Sequence, residues 1–225
     1  MGGLVIETSV PLFPFADEEH ALYMASKAQA SAAKPMMSRF EAAVLYELAR
    51  HAPVTMGTHL SCIEIGTNQA GSTACIAMGL RDGGGGFVLS VDCYTPYCEP
   101  TLIPGMRGLQ QLDLDVYVLR MLSRSFAALQ RPIGSFPLIH IDGGHDRATV
   151  FSDLRESYKH MTQGLGVYAL HDFYVERTPG VRQAWEDFSQ GKDFRYLRGD
   201  DCSLYAIQTG VSWHPGFVEA VAGWH

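Results

Sequence analysis

The chain of 225 residues has no apolar run near the ~20 residues that a membrane-spanning helix needs. It has no basic surplus: 17 Lys and Arg stand against 24 Asp and Glu, for a net charge of −7. Without a basic stretch to offset that charge, a nucleic-acid or anionic-membrane partner is not expected. The first residues lack the basic start and long apolar core of a secretion signal. The five Cys, at 62, 75, 93, 98 and 202, do not form the close pairs of a structural zinc site. A reduced, cytoplasmic protein is therefore expected. The pattern G-x-G-x-x-G of dinucleotide-binding folds is missing, and no Lys stands beside Gly71 as a phosphate-binding loop would require. No repeat or low-complexity segment is present. The 47% hydrophobic content is too high for a disordered chain. These exclusions leave a soluble enzyme or a small-molecule binding domain of one α/β unit.

Strand and helix signals alternate through most of the chain. Residues 17–51 read as two helices, the first capped by Asp17 and ended at Lys34-Pro35. The second carries the apolar stripe Phe40, Val44, Leu45, Leu48. Preceding every strand signal, this pair is expected to pack on the sheet or roof a pocket, as a helical cap over 1–55 before a core over 56–225. Short apolar runs then begin at Leu60, Phe87, Val116, Phe136 and Gly166, with helical spacing over 72–80 and 149–161. Two further runs, from Phe194 and Ser203, flank the polar turn Arg198-Gly-Asp-Asp. The pattern predicts a Rossmann-like, doubly wound, mostly parallel sheet of seven strands with an antiparallel edge strand. In such sheets ligands bind beyond the carboxyl ends of the strands, so the residues closing each run are the candidates for chemistry.

The first run closes in Glu64-Ile-Gly66-Thr67-Asn-Gln-Ala-Gly71-Ser72-Thr73. The two Gly permit a tight turn and close backbone approach to a ligand, and Ser72 and Thr73 are placed to open a helix. The second closes at Asp92, where a carboxylate can accept from both hydroxyls of a ribose. The fourth gives Ile139-His-Ile-Asp142-Gly-Gly-His145-Asp, and the fifth ends in His171-Asp172. Asp142, His171 and Asp172 would converge from adjacent strands, a donor set suited to a divalent cation. His145 beside them suits a general base near neutral pH. His140, on the other side of its strand from Ile141, reads as a packed core histidine. His20, His51, His59, His160, His214 and His225 have no carboxylate constellation, and surface or structural roles are expected. The aromatic segment 93–98 is expected to help wall the pocket. The apolar tail from Val211, with Trp213, Phe217 and Trp224, is expected to cover the sheet edge or a second copy in a homodimer.

The order of these strand-end motifs resembles the class I S-adenosylmethionine-dependent methyltransferases. It is similar to their branch of macrocin-type O-methyltransferases and cephalosporin-hydroxylase-like proteins. The resemblance runs from about Ile63 to Phe188 and takes in Leu119 to Phe126 and Gly180-Val-Arg-Gln-Ala-Trp. It implies that Glu64, Gly66, Thr67, Gly71, Ser72 and Thr73 wrap the methionine part of the cofactor. It also implies that Asp92 holds the ribose, that Ser123 lies near the adenine, and that Asp142 borders the cofactor. In metal-dependent members a carboxylate matching Asp142 and an acidic pair matching His171-Asp172 bind magnesium, and a His matching His145 is the base. His171 departs from that pattern, because magnesium prefers oxygen donors; the change either leaves the site without a metal or turns it toward manganese, iron or zinc, with magnesium the first ion expected if one is used. The expected activity is O-methylation of a hydroxyl on a small acceptor such as a sugar or phenolic natural product, with Asp142 and His145 in catalysis. Two other readings stay open. His145, His171 and a carboxylate can form the two-His, one-carboxylate iron site of an oxygenase. The chain can also be a non-catalytic subunit that binds S-adenosylmethionine.

Overall fold

Alternating apolar residues bury both faces of a strand, and the chain uses its two helical layers to cover them. The computed structural model describes residues 18–29, 37–51, 61–93, 99–126, 136–161, 166–198 and 202–208. The Lys34-Pro35 step, the boundary near residue 55, the segment 94–98 and the tail from 209 lie outside the described residues.

Fourteen elements follow one another: α1 (Glu18–Gln29), α2 (Arg39–Arg50), β1 (Ser61–Ile65), α3 (Gly71–Asp82), β2 (Phe87–Asp92), α4 (Glu99–Gln111) and β3 (Val116–Arg120). After these come α5 (Ser123–Phe126), β4 (Leu138–Ile141), α6 (Arg147–Tyr158), β5 (Val167–Leu170), α7 (Pro179–Phe188), β6 (Phe194–Arg198) and β7 (Leu204–Gln208). The strands form one seven-stranded sheet in the order β3-β2-β1-β4-β5-β7-β6. The pairs β1–β2, β2–β3, β1–β4 and β4–β5 are parallel, whereas β7 runs antiparallel to both β5 and β6. The antiparallel strand therefore lies one place in from the edge, and β6 is outermost. Only five residues separate β6 from β7, too few for a parallel crossover, so the last two strands pair antiparallel as neighbours and β7 slots beside β5.

Odd and even strand positions feed different layers. Ile63, Ile65, Leu89, Val91, Ile139 and Ile141 pack with Val150 and Leu154 of α6 and Val181, Trp185 and Phe188 of α7. Cys62, Val88, Leu138, Val167 and Ala169 pack with Val44, Leu45 and Leu48 of α2 and Ile76 and Leu80 of α3. Thus α2 shares a core with the sheet, while α1 adds Met24 and Ala28 against Tyr46, Ala74 and Met78. Ser38 caps α2 by accepting from the Glu41 amide at 3.0 Å. Helices α2 and α3 meet almost backbone to backbone at Gly79, where a Cβ would lie 2.2 Å from the Tyr46 carbonyl oxygen. Among the described residues no helix is long and apolar enough to cross a membrane.

Strand order reverses at β1, whose neighbours are β2 on one side and β4 on the other. That is the switch point at which open α/β sheets leave a crevice for a ligand.

Candidate functional site

Register fixes the site. Ile65 pairs with Val91 and with Ile141, Val91 with Leu119, and Ile141 with Leu170. The next residue of each strand therefore falls in a single row: Gly66, Asp92, Arg120, Asp142 and His171. Backbone bonds carry the ladder that one step further, from Gly66 N to Val91 O (2.9 Å), Asp142 N to Ile65 O (2.8 Å) and His171 N to Ile141 O (3.1 Å). Above the row lies a cavity of about 820 Å³, within the range of small-molecule sites. Gly66, Asp92, Ser123, Asp142, His145, His171 and Asp172 all line it, with Met37, Ser38 and Glu41 from the start of α2. Residues 37, 38 and 41, at the start of α2, thus contribute to the cavity wall.

The β1–α3 turn has a left-handed backbone. Gly66 has φ +104°, and a Cβ there would lie 2.0 Å from the Asp142 carbonyl oxygen, so no side chain fits. Asn68 and Ala70 have φ of 42° and 63°, a conformation costly for residues with a Cβ and concentrated at functional turns. The Asn68 amide donates to Asp92 Oδ2 at 2.9 Å, which ties the turn to the carboxylate at the end of β2.

Glu64 has a different setting from the one its motif suggests. It is fully buried beneath the turn, on the α3 side of the sheet, and is not in the cavity wall. Ser72 donates to Oε1 at 2.6 Å, Thr73 and Ser90 donate to Oε2 at 2.5 Å each, and His140 Nδ1 lies 3.3 Å from Oε1. Burial alone would raise the Glu64 pKa, but His140, Ser72 and Ser90 hold it below the ordinary carboxylate range. Thr67 is buried as well, with its hydroxyl 2.6 Å from that of Ser90. Helix α3 starts at Gly71 with Ala70 as N-cap and no side-chain cap, because alanine offers no acceptor; the Ser72 and Thr73 hydroxyls are engaged by Glu64. Thr67, Gly71 and Ser72 border a smaller cleft beside Gly66 and Asp142. Of the residues expected around the cofactor, Gly66, Asp92, Ser123 and Asp142 reach the main cavity; Glu64 and Thr73 shape the turn from behind. His140, as expected, is a buried structural histidine.

At the β4 and β5 ends, charges cluster around His171. Its Nδ1 lies 3.1 Å from Asp142 Oδ1 and 3.4 Å from Asp172 Oδ1, and its Nε2 lies 3.4 Å from Glu41 Oε2. None of these approaches is aligned as a hydrogen bond, and Nδ1 and Glu41 Oε2 remain buried polar atoms without one. Burial acts to lower the His171 pKa, but Asp142, Asp172 and Glu41 override it and raise it far above the ordinary value. His145 Nε2 lies 3.0 Å from Asp172 Oδ2, and that contact raises the His145 pKa against the effect of its partial burial. Asp172 is correspondingly held well below the usual carboxylate range by His145 and then His171. Its φ of +56° puts a non-glycine residue in the left-handed region at this crowded corner. Three carboxylates around one imidazole, with orphaned atoms on both sides, fit a cation; a nitrogen donor in the set fits manganese, iron or zinc better than magnesium.

Three residues in this wall were not singled out in the sequence. Glu41 lies in the buried stripe of α2, in register with Leu45 and Leu48, and is 1% exposed. Cys202 precedes β7 and reaches Asp172 Oδ1 at 3.9 Å. Asp153 lies in α6 among Val150, Leu154 and Ser157 and is 2% exposed, with neither carboxylate oxygen in an aligned hydrogen bond. Burial pushes its pKa up to about 6; Asp146 adds to this and the Ser123 hydroxyl opposes it. In α2 and α6 alike the available signal was a carboxylate at a position that helical spacing assigns to the core.

Residues 63–173 match a family profile described as "Methyltransferase domain". No curated protein sequence matches the chain. Among solved structures it is similar to the O-methyltransferase TomG of Streptomyces achromogenes, involved in tomaymycin synthesis and solved with S-adenosylmethionine. That likeness has 18% identity and a TM-score of 0.60 over 86% of this chain and 91% of that one. The O-methyltransferase of Bacillus cereus, bound to S-adenosylhomocysteine, gives 16% identity and a TM-score of 0.56 over 91% and 94% of the two chains. The Podospora anserina methyltransferase PaMTH1, also bound to S-adenosylhomocysteine, gives 15% and 0.58 over 85% and 88%.

Proposed function

We propose that the chain is an S-adenosylmethionine-dependent methyltransferase, the reading supported by the match of residues 63–173 to a methyltransferase-domain profile, and that it methylates a hydroxyl oxygen of a small-molecule acceptor. The observation that carries this reading is the convergence of Asp92, Asp142, His145 and Asp172 on one 820 Å³ cavity at the strand-order switch. The cavity has room for a nucleoside-bearing cofactor and a small acceptor together. The similar Streptomyces and Bacillus proteins are both O-methyltransferases, which supports the same class of acceptor.

The cofactor supplies an electrophilic methyl on a sulfonium, transferred in line to the acceptor with the thioether as leaving group. In the proposed arrangement the Gly66 turn would hold its methionine portion by close backbone approach, and Asp92 would accept from the ribose hydroxyls. The buried Asp153 carboxylate, beside Ser123, would accept from the amine of an adenine bound at that end of the cavity. Alignment of acceptor and methyl supplies much of the rate. A hydroxyl is a weak nucleophile until its proton leaves, and His145 is the base. Asp172 keeps the His145 ring proton on Nε2 and leaves Nδ1 to accept. A divalent ion held at His171, with the carboxylates of Asp142 and Asp172 beside that ring, would lower the pKa of a hydroxyl and fix its position. A cap over 1–55 roofing the acceptor, and a homodimer in solution, complete the proposal.

Incubation with methyl-labelled S-adenosylmethionine and a panel of sugars and phenols tests it by mass spectrometry. A product gaining one methyl on oxygen is expected, with His145→Gln reducing turnover ~10²–10⁴-fold while cofactor binding persists. Unchanged turnover in that variant would remove His145 from the mechanism, and methylation on carbon or nitrogen alone would overturn the acceptor class.

A further inference from the structure

We propose that Glu41, His171 and Cys202 are the protein ligands of a borderline-soft divalent cation of the zinc, cobalt or iron(II) class. They come from three separate elements: the buried face of α2, the end of β5, and the residue leading into β7. Their candidate ligand atoms all lie within 4.8 Å of one another, and all three line the main cavity. A thiolate, an imidazole and a carboxylate together suit zinc and its neighbours, whereas magnesium selects oxygen.

The geometry is more specific than the residue types. Glu41 is 1% exposed; its Oε1 accepts from the Ser203 hydroxyl, which fixes the carboxylate, while Oε2 has no hydrogen bond and points at His171 Nε2 from 3.4 Å. Ligand atoms bound tetrahedrally at about 2.1 Å stand about 3.4 Å apart. The observed separation is that of two ligands sharing an ion. The other edge of the ring faces Asp142 Oδ1 at 3.1 Å and Asp172 Oδ1 at 3.4 Å. A carboxylate behind the non-ligating nitrogen is the usual way a metal-bound histidine is oriented. Glu41 and Cys202 thus occupy one edge of the site and the two aspartates support it from the other. Three protein ligands leave the fourth position open to the cavity, where an acceptor hydroxyl can bind. That last role rests on the methyltransferase reading; the site itself does not.

The test is cobalt substitution of the full chain after chelator treatment. One cobalt per chain with a near-ultraviolet thiolate-to-cobalt charge-transfer band is expected. Cys202→Ser should abolish that band and weaken zinc binding, measured in competition with a chromophoric chelator, by more than the ~10–100-fold that loss of a supporting group behind a ligand costs. Glu41→Gln should keep the band and shift the visible cobalt spectrum. Cys202 is only partly buried, so the Ser variant folds and remains informative if Glu41→Gln does not. Absence of the band, or a band unchanged in Cys202→Ser, overturns the site. S-adenosylhomocysteine binding measured on the same samples separates the two readings: binding without the cobalt signature rejects the metal site alone, and the signature without binding rejects the cofactor reading alone.

Discussion

Neutralising Asp153 should stabilise the protein at neutral and alkaline pH. Its carboxylate is 2% exposed, and burial raises its pKa from 3.8 to about 6. Each pH unit of displacement corresponds to about 1.4 kcal/mol, so ionised Asp153 costs the folded state about 3 kcal/mol. Because the folded-state value lies above the unfolded one, the cost is absent below pH 3.8, grows as pH rises through the window, and is complete above about 6. Asp153→Asn removes the charge and keeps the volume. At about 2–4 °C per kcal/mol for a chain of this size, the variant should melt about 6–12 °C higher at pH 8 and nearly unchanged at about pH 3. Circular dichroism melting curves at the two pH values are the assay. An equal or lower midpoint at pH 8 would refute the reasoning, as would an equal gain at both pH values. An amide accepts more weakly than a carboxylate, so S-adenosylhomocysteine should bind the variant about tenfold more weakly. A stabilised fold with a weakened ligand is the pattern expected of a residue kept for function.

Gly66→Ala should cost more than 3 kcal/mol in urea unfolding, since its Cβ would meet the Asp142 backbone at 2.0 Å and its φ is +104°; a loss below about 1 kcal/mol would show that the turn can move aside. Glu64→Gln should lose about 3 kcal/mol at pH 7 by leaving donors of the buried cluster unmatched. Since Glu64 is held below its ordinary pKa, its contribution is complete above that value and lost as pH falls, so the variant should approach wild type in acid; a difference that widens in acid would contradict this. Turnover should rise with pH through the raised His145 pKa, as the proton-accepting form becomes populated. That limb should disappear from the pH–rate profile of His145→Gln.

The sheet was legible because its strands are short apolar runs, those of β1, β2 and β4 ended by glycine or a carboxylate, and every run from β1 to β7 is a strand in the fold. The row Gly66, Asp92, Asp142, His171 was legible for the same reason: parallel strands bring equivalent end positions together. Helix α4 was not read from the sequence, because Pro104 interrupts it and Gly105 and Gly108 dilute its apolar spacing. Glu64 was assigned to the ligand when it belongs to a buried polar cluster; a strand position shows which face it takes only once the partner strands are known, and its partners Ser90 and His140 lie 26 and 76 residues away. Glu41 and Cys202 escaped because their meeting with His171 depends on how α2 and the β6–β7 hairpin sit over the sheet, which no local pattern encodes. Asp153 did carry a local sign, a carboxylate in the core register of α6.

Titration calorimetry with S-adenosylhomocysteine and S-adenosylmethionine, first with chelator and then with added magnesium and zinc, tests the central claim most directly. The account predicts saturable binding at one site per chain, lost in a variant with Gly66 replaced and weakened in Asp92→Ala, and a separate heat for zinc that magnesium does not reproduce. No binding of either nucleoside under any condition would contradict the methyltransferase reading of this cavity.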